Sequence, residues 1–98
     1  MNGSALPAVR RAPADDGELL DRVRAFIADA ADKPLDAVGP DSNIYTELGT
    51  DSLGGACIFI DISYEYGIAE PEDASAYIGL DTASKIAAWV RAQESASG

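Results

Sequence analysis

The chain predicts an all-α fold: a four-helix bundle of three main helices and a short third one, with a long loop between the first and second. Three observations carry this. Apolar residues recur at helical spacing in three separate stretches. A long connection without a helical period separates the first two of these stretches. Apolar residues make up 47% of 98 residues, enough for one modest core and one domain.

Residues 1–15, rich in Pro, Ala, Gly and Arg without a period, are expected to form a flexible tail. Residues 16–92 form the folded domain, and 93–98 a second flexible tail. The first helix is expected over Glu18 to Ala31, where Leu19, Leu20, Val23, Phe26, Ile27 and Ala30 share one face. Asp15, Asp16 and Glu18 sit at its N-terminal end, where acids complement the helix dipole. Lys33-Pro34 ends it, because a residue before proline disfavours helix. The connection "PLDAVGPDSNIYTELGTD" is long for a small domain, and loops of this length are often functional. Leu35, Val38, Ile44, Tyr45 and Leu48 are placed to pin it to a core.

A second helix starts at Ser52, capped by Asp51 or Ser52, and runs to about Tyr66. Gly67 stops it, since glycine tolerates the left-handed conformation that ends helices. "PEDASAY" suggests a short third helix with Pro71 in its first turn. Thr82 caps the last helix, whose buried face is Ala83, Ile86, Ala87 and Val90, with Trp89 at its edge.

The second helix is apolar on two sides. At about 100° per residue, Ile58, Phe59, Ile62 and Tyr66 fall on one face and Leu53, Ala56, Cys57, Ile60 and Tyr64 on the other. One stripe normally faces a small core. The second stripe, beside Ser52, is expected to be at least partly exposed and to bind a partner. The alternative is that the long loop covers it.

Composition narrows the chemistry. There is no histidine and a single cysteine, so no disulfide framework forms and the usual neutral-pH base is missing. No metal site is expected. Net charge is −10, and ten acids lie between Pro34 and Ser84 without one Lys or Arg. Such a field repels nucleic acid and anionic membrane and steers basic protein surfaces inward. No apolar run reaches membrane-spanning length and the N-terminus does not resemble a signal peptide. A cytoplasmic monomer is the expectation.

Ser52 lacks what a nucleophile needs: no histidine activates it, and "TDSLG" is not a Gly-x-Ser-x-Gly elbow. A serine before a helix is most often a cap. It is also a favourable place for a phosphoester, which meets free N–H groups and the positive end of the dipole.

The surrounding string decides between these. "PDSNIYTELGTDSL" resembles the modification region of acyl carrier proteins, "P-D-x-x-[hydrophobic]-x-x-[DE]-L-G-x-D-S-L", through Pro40, Asp41, Glu47, Leu48, Gly49, Asp51, Ser52 and Leu53. "YEYGI" is similar to the end of that family's second helix, and "TASKIAAWV" to its last helix. The likeness covers about Glu18 to Ala92. It implies a non-enzymatic carrier of acyl thioesters. Ser52 would bear 4′-phosphopantetheine from coenzyme A, attached by a separate phosphopantetheinyl transferase with magnesium. Asp51 would help the transferase and metal engage. Leu53, Ala56, Cys57, Ile60, Tyr64, Glu47, Asp61 and Glu65 would meet the transferase and the acyltransferase, ligase or synthase enzymes of the pathway.

Many family members carry acids near the positions of Gly54 and Cys57. Their absence here points to apolar docking and a dedicated partner set, as in polyketide or related natural-product biosynthesis, while the few residues beyond one carrier domain lead to the expectation of a discrete carrier. A peptidyl or aminoacyl carrier, and a helical interaction module whose Ser52 only caps, are the competing readings. Gly54 and Gly55 either loosen the first turn or let the long loop pack closely, with packing preferred for Gly55.

Overall fold

The computed structural model describes residues 13–71 and 73–97. Four α-helices follow one another, α1 (Asp16–Ala31), α2 (Ser52–Tyr66), α3 (Ala74–Gly79) and α4 (Ala83–Ser97), with a 3-10 turn at Leu35–Ala37. Among the described residues there is no strand. Helix α1 packs on both α2 and α4, and α2 packs on α3. The all-helical bundle and its long first loop are as expected.

Helix α1 starts two residues earlier than its apolar pattern. Asp15 caps it, its carboxylate accepting from the N–H groups of Gly17 (2.7 Å) and Glu18 (3.3 Å). Leu19, Val23 and Ile27 are fully buried. Ala30, expected on the buried face, is exposed, and Ala28 is buried in its place. The helix stops before Lys33-Pro34. Asp32 adopts φ 55°, ψ 48°, and the Lys33 N–H donates back to the Ala28 carbonyl at 3.0 Å. This is a left-handed cap made without glycine.

The long loop is ordered by specific bonds. Val38, Ile44 and Leu48 are buried in the core, whereas Leu35, a predicted anchor, is exposed. Arg24 of α1 ties the 3-10 turn down, donating to the carbonyls of Val38 (2.5 Å) and Leu35 (3.2 Å). Asn43 accepts from the N–H groups of Tyr45 and Thr46 at 2.9 Å each and donates to Asp81 at 3.0 Å. The Ile44 N–H reaches the Asp81 carbonyl at 2.9 Å, and the Ser84 N–H reaches that of Pro40 at 3.0 Å. The loop is therefore fixed to the start of α4.

Helix α3 begins after the proline rather than on it. Asp73 caps it, accepting from the Ala76 N–H (3.1 Å) and the Ser75 hydroxyl (2.7 Å), and Pro71 lies outside. Glu72 falls outside the described residues. The Lys85 N–H donates to the Thr82 hydroxyl at 3.2 Å at the start of α4. Ala83, Ile86 and Val90 are buried, and Ala87 is half-buried. Helix α4 continues to Ser97, past the 92/93 boundary read from the sequence. Arg91 bonds Asp16 (2.9 Å), Glu94 (3.0 Å) and the Pro13 carbonyl, so residues 13–16 are held to α4. The tail assigned to residues 1–15 lies outside the described residues as far as position 12.

Candidate functional site

Where the long loop meets α2, the chain turns through Gly49, at φ 73°, a conformation that favours glycine. Thr50 follows, buried, with its hydroxyl unpartnered among the described residues. Asp51 then caps α2, its carboxylate accepting from the Gly54 N–H at 2.7 Å. Ser52 is the first helical residue and is exposed. Of the two candidate caps, Asp51 makes the bond. Among the hydrogen bonds of the described residues, none uses the Ser52 hydroxyl. The N–H groups of a helix's first turn have no intrahelical acceptor, and the helix dipole is positive there. The exposed hydroxyl thus stands where a phosphoester is well accommodated.

Helix α2 separates its two apolar faces as its sequence predicts. Ile58, Phe59 and Ile62 are fully buried and Tyr66 nearly so. Leu53 is 73%, Ile60 47% and Tyr64 79% exposed. Cys57 is exposed and Ala56 half-buried. The long loop does not cover this stripe. It packs on the other flank of the first turn, against Gly55.

That packing settles what the glycines do. A Cβ on Gly55 would meet the Tyr45 ring at 2.5 Å from its oxygen and 3.0 Å from Cε1. A Cβ on Gly54 would meet the Thr50 methyl at 2.7 Å. Tyr45 is held in place because its hydroxyl donates to the Tyr77 carbonyl of α3 at 3.0 Å. Burial pushes the Tyr45 hydroxyl's pKa up, and the Asp81 charge adds to the shift. Close approach of the loop, rather than a loosened turn, accounts for both glycines. Tyr45 is one of the loop anchors expected from the sequence, whereas its contact with Gly55, and that of Thr50 with Gly54, has no signal beyond the glycine pair itself.

The acids expected to line the site divide. Asp51 and Asp61 are exposed, as is Glu47, which accepts from the Asn43 N–H at 3.2 Å. Glu65 is different: it is half-buried and paired with Arg22 of α1, whose guanidinium also lies 5.6 Å from the Phe26 ring centre. An internal partner takes Glu65 out of the free acidic set, and no local spacing links positions 22 and 65. Among the described residues the ion pairs engage Arg22, Arg24, Lys85 and Arg91, and none involves Glu47, Asp51 or Asp61. The face around Ser52 is left apolar and negative. Among the described residues no group of three or more potential ligands could hold a metal ion, and no helix is long and apolar enough to cross a membrane.

No protein-family profile matches the chain. Two curated relatives do. Acyl carrier protein 3 of Ralstonia nicotianae is 29% identical over 80 residues, spanning 82% of this chain and 90% of its own length. The acyl carrier protein of a Picosynechococcus species is 31% identical over 58 residues, spanning 59% of this chain and 72% of its own. The chain belongs to the acyl carrier protein family, whose members are carriers rather than enzymes and bear a covalently attached 4′-phosphopantetheine.

Proposed function

We propose that Ser52 is the attachment site and that residues 16–92 work as an acyl carrier domain. One observation carries the assignment: Asp51 does the capping, so the exposed Ser52 hydroxyl is free at the helix start. The surroundings suit the group. Asp51 takes the Gly54 and Gly55 N–H groups, which leaves those of Ser52 and Leu53 for a phosphate on Ser52 Oγ, and the long loop does not block its outer side. When attached, the arm supplies a terminal thiol that holds cargo as a thioester. The chain's own residues do the rest. Asp51 orders the first turn and offers an exposed carboxylate to the loading transferase and its magnesium. Leu53, Ala56, Cys57, Ile60 and Tyr64 present an apolar stripe to partner enzymes, with Glu47 and Asp61 adding negative charge for steering.

The stripe has Gly54 and Cys57 where many family members carry acids. This supports partners that dock on apolar contacts, and thus a dedicated set of acyltransferase, ligase or synthase enzymes in polyketide or related natural-product biosynthesis. The carrier works as a monomer in the cytoplasm. Incubation with coenzyme A, magnesium and a promiscuous phosphopantetheinyl transferase tests the attachment. Mass spectrometry should show a phosphopantetheine-sized gain in the wild-type chain and none in Ser52→Ala. A gain that survives the substitution would sink the assignment. Mass spectrometry of the native thioester identifies the cargo and tests the pathway.

A further inference from the structure

We infer that residues 5–12, the stretch that leads into the described structure at Pro13, seat in a groove between α1 and α4 and strap the two helices together. The groove has a volume of about 400 Å³. Leu20 of α1 and Ser84, Ala87 and Ala88 of α4 line it, with Asp16 and Arg91 where the two helices meet at one end. The small side chains of α4 leave it open, so Leu20 and Ala87 are only half-buried and Ala88 is exposed. Removing such apolar surface from water is favourable.

The chain itself arrives at this groove. Ala14 and Asp15 form a bend before α1. Arg91, part of the groove wall, donates to the Pro13 carbonyl and bonds Asp16 at 2.9 Å. The residues before Pro13 therefore start at the groove's end, and that tether makes their docking intramolecular. The reach is sufficient. Arg91 and Ser84 are two turns of α4 apart, about 10 Å. The four residues from Val9 to Ala12 span up to about 13 Å, so Val9 can reach any point along the groove. The chemistry is complementary. "ALPAVRRA" offers Leu6, Pro7 and Val9 to the apolar lining, and it contains two arginines and no acid. All seventeen acids of the sequence come after it. Four of them stand near the groove's end: Asp15, Asp16 and Glu18 are exposed and Glu94 is half-buried. Arg91 pairs with Asp16 and Glu94, and among the described residues no ion pair uses Asp15 or Glu18. Arg10 and Arg11, two and three residues before Pro13, meet this acidic end while Val9 lies beyond it. The lining residues come from α1 and α4, so the seated strap leaves Ser52 and the apolar stripe of α2 uncovered. The inference stands apart from the role of Ser52.

Methyl and amide NMR of the full chain tests it. The Val9 methyls should show contacts to the methyls of Ala87 and Ala88. Amide exchange at Val9, Arg10 and Arg11 should be about fivefold or more slower than in an unfolded chain of the same sequence. Val9→Asp changes no residue of the described core; it should abolish that protection and shift the amides of Leu20, Ala87 and Ala88. Ala88→Lys blocks the groove from the other side, with a charge like that of the arginines. Helicity should be unchanged, because Ala88 is exposed, and protection at residues 9–11 should be lost. Unprotected exchange throughout residues 5–12 in the wild-type chain, with no contact to Ala87 or Ala88, overturns the inference. Contacts found only between differently labelled copies, and growing with concentration, overturn it as well, since the strap would then come from a second molecule.

Discussion

Glycine inside a helix costs about 1 kcal/mol relative to alanine, so two in the first turn of α2 need a cause. The Tyr45 ring over Gly55 and the Thr50 methyl over Gly54 supply it. Alanine at position 55 would gain helix propensity but lose about 1–3 kcal/mol to overpacking. The loss wins because Tyr45 cannot turn away freely while its hydroxyl is bonded to Tyr77. Gly55→Ala should therefore lower the melting temperature. In a Tyr45→Phe background, the nearest colliding atom is gone and the cost should shrink. A double-mutant cycle by thermal denaturation measures this as a coupling of about 0.5 kcal/mol or more. Additive effects would mean that Tyr45 and Gly55 do not constrain each other. The same geometry bears on the missing acids. An aspartate at position 54 collides with Thr50, so steric fit is enough to account for Gly54. Cys57 is exposed and carries no such constraint.

At the scale of elements, α2 is the most legible part of the chain. Its bounds, its glycine stop and its two faces all follow from apolar spacing, because a helix that must be half core and half surface writes both stripes into one period. The exposed stripe gives a direct prediction. Ile60→Glu should leave helicity unchanged and shift unfolding free energy by no more than about 0.5 kcal/mol, the usual range for a surface site. The transferase's KM for the protein should rise severalfold while its kcat stays near wild type. Loss of the fold would place Ile60 in the core. Other elements were less readable. The start of α3 differs from the expectation because proline and an aspartate cap are both start signals, and Asp73 prevails through two hydrogen bonds. The end of α1 falls at Ala31 as expected, while its start lies two residues early because Asp15 rather than the apolar pattern sets it. Of the site, Ser52, Asp51 and the stripe were visible locally. The Tyr45–Tyr77 bond and the Arg22–Glu65 pair were not, because both link residues far apart in the chain.

At the scale of the whole molecule, charge sets the response to salt and pH. Net charge is −10, and Arg22, Arg24, Lys85 and Arg91 are already committed to internal pairs. Acids without such partners repel one another, which disfavours the compact state. Raising salt from about 0.01 M to about 1 M shortens the screening length from roughly 30 Å to roughly 3 Å. It also weakens the ion pairs, but exposed pairs contribute only about 0–1 kcal/mol each. Relief of repulsion should win, and the melting temperature at pH 7 should rise with salt. Lowering the pH at low salt should act in the same direction at first, since net charge falls toward zero near the isoelectric point of about 4.1. A second effect then opposes it. The hydrogen bond from Lys85, with Asn43 assisting, holds the Asp81 carboxylate below its ordinary value. A depressed carboxylate contributes stability that is fully present above the unfolded-state value and is lost as pH falls through the folded one. Because Asp81 anchors the long loop to α4, that loss should loosen the loop. On the alkaline side the sign reverses. Burial raises the Tyr45 and Tyr66 hydroxyls, so their contribution is present below the ordinary phenol value and lost as pH rises through the folded values. Melting temperature against pH at low salt should therefore peak on the acidic side of neutrality. At high salt the slope between pH 7 and that peak should flatten, while the fall below the carboxylate range persists through Asp81. A melting temperature that drops steadily from pH 7 downward at low salt would show that paired charges, rather than excess ones, govern the stability of this fold.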